Sequence, residues 1–269
     1  MADTALYEPD GDRFVPSPLT TGPWDPGAQH GGAPAALLAH LIEQVPTPEP
    51  TQVARMTFEL MRPVPLTPLR AVTEVVRPGR KVQLVQSSLY ADGRDGVEVE
   101  VMRATALRIR RAELDLPGGV IPDDPPPAGP EHGQVLAFPG GPRFEGTAYH
   151  SDANDIRFVA GGFDRPGPAT AWIRLQVPVV EGQPTSPLMR VAGAADFGNG
   201  LSWTLPRGEW IFINPDLTVH VTREPAGEWV CLDSITHPEP TGIGLAESAL
   251  YDSTGRIGRA TQSLLIDRS

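Results

Sequence analysis

Between residues 55 and 109 apolar and polar positions alternate. Met56, Phe58 and Leu60 point one way and Arg55, Thr57 and Glu59 the other, the period of two expected of strands with one buried face. Residues 71–76 and 82–90 flank the turn Arg77-Pro78-Gly79-Arg80, Asp92-Gly93-Arg94-Asp95-Gly96 reads as a hairpin connection, and Val97, Val99 and Val101 open a further alternating run to Ile109. Upstream the alternation stops. Residues 31–44, from Gly31-Gly32-Ala33-Pro34 to Glu43-Gln44, are rich in alanine and leucine, with Pro34 suited to a first turn and Pro46 just past the end, which predicts a helix. Apolar residues nearly surround it, so it should be buried, wrapped by the strands that follow. A short strand near Arg13-Phe14-Val15 and a series of turns rich in proline and glycine precede it.

The pattern lapses from about residue 111 to 146, where Asp123-Asp124-Pro125-Pro126-Pro127 and Pro139-Gly140-Gly141-Pro142 read as a surface linker. It then returns: a strand over 171–177, a helix start at Thr185-Ser186-Pro187, a helix over 188–197, strands over 217–222, 229–236 and 243–251, a turn at Asp252-Ser253-Thr254-Gly255 and a last strand over 256–266. One buried helix followed by an antiparallel meander is the layout of a hotdog fold, and it occurs twice. The expected class is α+β, a tandem double hotdog with two antiparallel sheets each curled around a central helix: residues 1–111 the N-terminal unit, 112–146 the linker, 147–269 the C-terminal unit.

Composition narrows the function. A net charge of −11 and a pI near 5.0 argue against nucleic acid as a partner. No run approaches a membrane helix and the acidic N-terminus lacks signal-peptide layout, so a cytoplasmic protein without a membrane partner is expected. The single cysteine, Cys231, lies in the apolar run Trp229-Val230-Cys231-Leu232 and reads as a buried thiol. The six histidines fall in no metal-ligand spacing, and there is no Gly-x-Ser-x-Gly nucleophile elbow.

Three polar residues stand in apolar company: Asp196 before Phe197-Gly198-Asn199-Gly200, Asn214 in Ile213-Asn214-Pro215-Asp216, and Gln262 in Thr261-Gln262-Ser263-Leu264. Each has a plain structural reading: a helix end, an Asx turn, and an exposed position on an edge strand. Together with Gln29-His30-Gly31-Gly32 and Met56-Thr57-Phe58-Glu59-Leu60-Met61-Arg62-Pro63, their order along the chain resembles the double-hotdog acyl-CoA thioesterases of type II (TesB-like). That resemblance implies hydrolysis of acyl-CoA to a fatty acid and CoA by activated water, with Asp196, Asn214 and Gln262 as the catalytic set. Asn214 stands where the family carries Thr or Ser. No cofactor is implied beyond the CoA of the substrate. Helix N-terminal amides at His30, Gly31 and Gly32 are candidates to polarise the thioester carbonyl, and Arg77, Arg80 and Lys81 are the best candidates to hold CoA phosphates, although a solvated turn explains the three cations better. Two other readings stay open: a non-catalytic acyl or acyl-CoA binding protein of the same fold, and, more weakly, an enoyl-CoA hydratase using Asp25 and His30. The sheets leave room for pairing into a homo-oligomer.

Overall fold

The computed structural model describes residues 4–93, 95–138, 146–206 and 208–269. The first half holds the hairpin β1 (Tyr7–Asp10) and β2 (Arg13–Pro16), helix α1 (Gly32–Glu43), and strands β3 (Thr51–Leu60), β4 (Leu69–Arg77), β5 (Val82–Asp92) and β6 (Glu98–Arg110). The second holds β7 (Asn154–Ala160), β8 (Ala169–Leu175), α2 (Pro187–Ala195), the single turn α3 (Gly198–Leu201), β9 (Trp210–Ile213), β10 (Asp216–Val221), β11 (Val230–Pro238), β12 (Ile243–Asp252) and β13 (Gly255–Arg268).

The expected two sheets are in fact one. The order β2-β4-β5-β6-β3 runs directly into β10-β13-β12-β11-β8, its mirror image in connectivity. β3 and β10 would each be the open edge of their own half, with unpaired N–H and C=O groups. They satisfy one another instead, in antiparallel register from Asp216↔Glu59 to His220↔Arg55. Thr218 and Thr57 face each other at the seam, Oγ1 to Oγ1 at 3.2 Å. They pair outward with Thr261 and Thr105 respectively, so an approximate twofold passes between them.

The predicted helix over 31–44 is α1. Ten of its twelve residues are buried, among them Leu37, Leu38 and Ile42 at 0% exposure, each contributing about 1.5–3 kcal/mol through burial. The helix predicted over 188–197 ends earlier, at Ala195, and the chain makes a separate turn at α3. Strands β7 and β9 were not expected. β9 is four residues long and, among the described residues, pairs with the far part of β13 alone, too short for periodicity to register. The linker is not uniform. Residues 111–120 are exposed, whereas Asp124 bonds Arg256 (3.1 Å) and the Ala128 carbonyl accepts from Trp172 Nε1 (2.7 Å), tying this part to the second half. Pro139-Gly140-Gly141-Pro142 and Arg94 lie outside the described residues. The N-terminal segment crosses over as well, with Leu6 and Tyr7 N–H donating to the carbonyls of Pro178 and Val179.

The two main helices lie side by side and antiparallel. At one end Gly32 of α1 meets Gly193 of α2, where a Cβ on Gly32 would collide with the Gly193 carbonyl. At the other, Ser186, the N-cap of α2, donates to Glu43 Oε2 at the close of α1 (2.5 Å). No helix among the described residues is long and apolar enough to cross a membrane.

Candidate active site

Asp196 is the C-cap of α2, a poor place for an acid as far as its own helix dipole is concerned. The antiparallel packing reverses the sign. The carboxylate lies against the N-terminus of α1, so close that a Cβ on Gly31 would come within 2.8 Å of Oδ2. A negative charge is favoured there. Glycine at position 31 is therefore what allows the carboxylate to reach the helix end.

Three side chains hold Asp196. Asn214 Nδ2, from the turn between β9 and β10, donates to Oδ1 at 2.8 Å, and Gln262 Nε2, from β13, donates to Oδ1 and to the Asp196 carbonyl, both at 3.3 Å. His30 Nδ1 lies 3.1 Å from Oδ2. The same nitrogen is 3.0 Å from the Gly32 N–H, and it can serve only one of these partners at a time. Protonated, it donates to Asp196; bare, it accepts from Gly32. Both side chains are nearly buried, at 10% and 8% exposure, so the pair is weakly screened.

The three residues singled out around the second helix thus converge, but not equivalently. Asp196 and Asn214 line a cavity of about 410 Å³. Gln262 is 2% exposed and stands behind Asp196, its Oε1 accepting from the Asn199 N–H at 3.0 Å. Its carboxamide therefore fixes the acid and the start of α3 and does not reach into the cavity. Of the three amides at the head of α1, that of His30 donates to the Thr20 carbonyl (2.8 Å) and that of Gly32 to the His30 ring. Gly31, which lines the cavity, keeps its N–H without a partner among the described residues. The expectation of three amide donors is corrected to one, because the chain entering the helix uses the other two to fix the loop.

Arg77, Arg80 and Lys81 are not brought to the cavity. The β4–β5 turn lies beside the end of β6, where Lys81 O accepts from the Arg110 N–H and Val82 pairs with Ile109. The cavity lies at the other end of the same strand, where Met102 of β6 pairs with Leu60, about 23 Å away at strand rise. Arg77 donates to the Val82 carbonyl (3.3 Å) and Arg80 pairs with Glu49 (3.0 Å), as a solvated turn would. The cation that does line the cavity is Arg62, in the Arg62-Pro63 exit of β3. Asp25 also lines it, but its carboxylate accepts from the Gly27 N–H (2.8 Å) in a local turn, and His30 faces Asp196. This geometry does not support a hydratase dyad.

Further lining residues went unrecognised in the sequence. Asn199, inside the Gly198-Asn199-Gly200 stretch, keeps a buried Oδ1 without a partner among the described residues. His150 also lines the cavity. Burial, helped by the nearby His30, depresses its pKa to about 4, so it is neutral at neutral pH. Behind the site, burial raises the Tyr149 phenol above its usual range, against the hydrogen bond with Asn154, and its hydroxyl donates to the Gly193 carbonyl (3.2 Å).

A buried carboxylate at a helix N-terminus, gripped by amides, opens here on a cavity of small-molecule size between two helix-and-sheet halves. Sequence profiles of the acyl-CoA thioesterase family match both halves, the N-terminal domain over residues 20–109 and the C-terminal domain over 122–266; the chain belongs to this family. No curated protein sequence matches it. Solved structures agree on the fold. A hot dog fold protein of unknown function from Alicyclobacillus acidocaldarius is similar at a TM-score of 0.68 with 17% identity, over 97% of this chain and 95% of that one. The acyl-CoA thioesterase II TesB2 of Mycobacterium marinum is similar at 0.62 with 14% identity, over 97% and 94%. A protein of Thermobifida fusca provisionally assigned as thioesterase II reaches 0.71 with 16% identity, over 98% and 96%. At such identities the likeness establishes the hotdog fold.

Proposed function

We propose that the chain is a tandem double hotdog that hydrolyses acyl-CoA thioesters by direct attack of water. The observation that carries this reading is the placement of Asp196, at the N-terminus of α1 and on the wall of an apolar cavity, with its Oδ1 already oriented by Asn214 and Gln262.

In this mechanism water, held between the Asp196 carboxylate and the Asn199 Oδ1, adds to the thioester carbonyl carbon as its proton passes to Asp196. The resulting oxyanion accepts a hydrogen bond from the Gly31 N–H at the positive end of α1. Collapse restores the C=O bond and breaks the C–S bond. The proton on Asp196 then goes to sulfur, so the products are a carboxylic acid and the free thiol of CoA. Asn214 and Gln262 are positioning residues that hold Asp196 through its Oδ1. Replacement of a hydroxyl by Asn214 is compatible with this role, since the amide supplies a donor that a carboxylate accepts. Arg62 is the cation placed to meet CoA phosphate.

Thiol release from short, medium and long acyl-CoA substrates tests the reading. Release by the wild-type chain is the expected result. Tight binding of acyl-CoA with no thiol from any substrate would replace it with the non-catalytic binding protein.

A further inference from the structure

Aromatic residues make up 6% of the chain, yet five of them, Trp24, Phe138, Phe163, Phe197 and Phe212, line this one cavity of 22 residues. They are organised, not merely adjacent. Phe138 is a hub, meeting Trp24 edge-on (5.9 Å, 78°), Phe163 edge-on (5.2 Å, 76°) and the His150 imidazole (4.8 Å). These are the separations and angles at which ring quadrupoles attract. Trp24 is 72% exposed while lining the cavity, so its indole is open to a ligand. Its loop is fixed between two prolines by hydrogen bonds from Gly22 N–H to Ala28 O (2.9 Å), Ala28 N–H to Asp25 O (3.1 Å) and Gly27 N–H to Asp25 Oδ1 (2.8 Å). The indole is therefore presented by a preorganised loop.

The rings also stand at the reacting end of the cavity. Phe197 follows Asp196 directly and packs on His30 (4.6 Å), which packs on Tyr149 (5.0 Å), the neighbour of His150. The group on the acyl side of a thioester is attached to the carbonyl that meets Asp196, whereas the adenine of CoA lies a whole pantetheine arm away.

Building on the proposed thioesterase activity, we infer that the substrate carries an aromatic acyl group, its ring seated among Trp24, Phe138 and Phe163. The cavity volume of about 410 Å³, near the lower end of the range for small-molecule sites, suits a compact ring better than a long flexible chain.

The test compares kcat/KM for phenylacetyl-CoA, cyclohexylacetyl-CoA, hexanoyl-CoA and palmitoyl-CoA by thiol release. The expected preference for phenylacetyl-CoA over the saturated ring of the same size is roughly tenfold, the scale of one or two ring contacts. In Phe138→Leu, and separately in the exposed Trp24→Leu, that ratio should fall toward one. A wild-type ratio of one or less overturns the inference while leaving hydrolysis intact. So does a loss that is equal for all four thioesters in either variant, since the rings would then serve the CoA portion. Absence of thiol from every substrate strikes instead at the thioesterase reading itself.

Discussion

The two ends of the helix pair are built on one plan and finished differently. Each end sets the N-terminus of one helix beside the C-terminus of the other. At the cavity end the C-terminus of α2 carries Asp196, which turns toward the first amides of α1. At the opposite end the C-terminus of α1 carries no acid at its cap. Instead Arg108, 3% exposed, reaches from β6 to donate to the carbonyls of Val45 (2.8 Å) and Ile42, and to Gln83 Oε1 (3.3 Å). The twofold relates Gln262, which pairs with Ala246, to Ala106, which pairs with Val85, so the residue that braces the acid has only a methyl group as its counterpart. A smaller cavity of about 240 Å³ remains there, with Glu43 and Arg108 in its wall. One end has its helix groups satisfied by the protein, and the other leaves a donor and a carboxylate for a ligand. Side-chain choice on a shared backbone separates a structural end from the one proposed to do chemistry.

Four substitutions test this contrast. Asp196→Asn removes the proton acceptor and should lower kcat by about 10²–10⁴ with the fold intact, measured by thiol release and by circular dichroism. Arg108→Met should do the reverse. It leaves the carbonyls of Ile42 and Val45 without their donor, costing about 2–4 kcal/mol in urea denaturation, with kcat little altered. An Arg108→Met protein that lost activity and kept its stability would refute the assignment of the two ends.

The third concerns pH. His150 has a folded pKa of about 4 against an ordinary 6.5, so between these values the unfolded chain binds a proton that the folded one does not. Its contribution is complete above pH 6.5 and lost as pH falls toward 4, about 1–2 kcal/mol after allowance for partial exposure. The drop in stability from pH 7.5 to 4.5 should be smaller by that amount in His150→Gln. The smallest effect is at the far end, where Ser186→Ala removes the N-cap of α2, whose Oγ accepts from the Met189 N–H (3.1 Å). About 1 kcal/mol of stability should go, read from the urea midpoint, with thiol release unchanged.

The fold was legible because its elements obey strong local rules. α1 is apolar on nearly all faces and β3 to β6 alternate, so burial and period announce them. What escaped depends on pairing between distant segments. Nothing in Thr57 or Thr218 reveals that β3 and β10 join, because any edge strand looks alike until its partner is known. Asp196 was visible as an acid in the wrong place for its own helix. That it faces the N-terminus of another is a property of packing. Gln262 was found, but its turn away from the cavity depends on its bond to the Asn199 N–H. The three cations of the β4–β5 turn misled because charge clustering is a local signal, while their distance from the site is set by seven positions of strand register along β6. The ring wall was missed for the complementary reason, Trp24, Phe138 and Phe163 being scattered along the chain.

The seam at Thr57 and Thr218 has a consequence for what counts as the molecule's unit. Gly31 and His30 come from one half, Asp196, Asn214 and Gln262 from the other, so the proposed reactive centre belongs to neither. Arg111 is still tied to the Pro50 carbonyl (2.8 Å) and to Glu224 (3.1 Å), but residues 112–120, exposed throughout, make no hydrogen bond or ion pair among the described residues. A protein nicked there becomes a heterodimer in all but origin: two polypeptides, one ladder of hydrogen bonds, one centre shared between them.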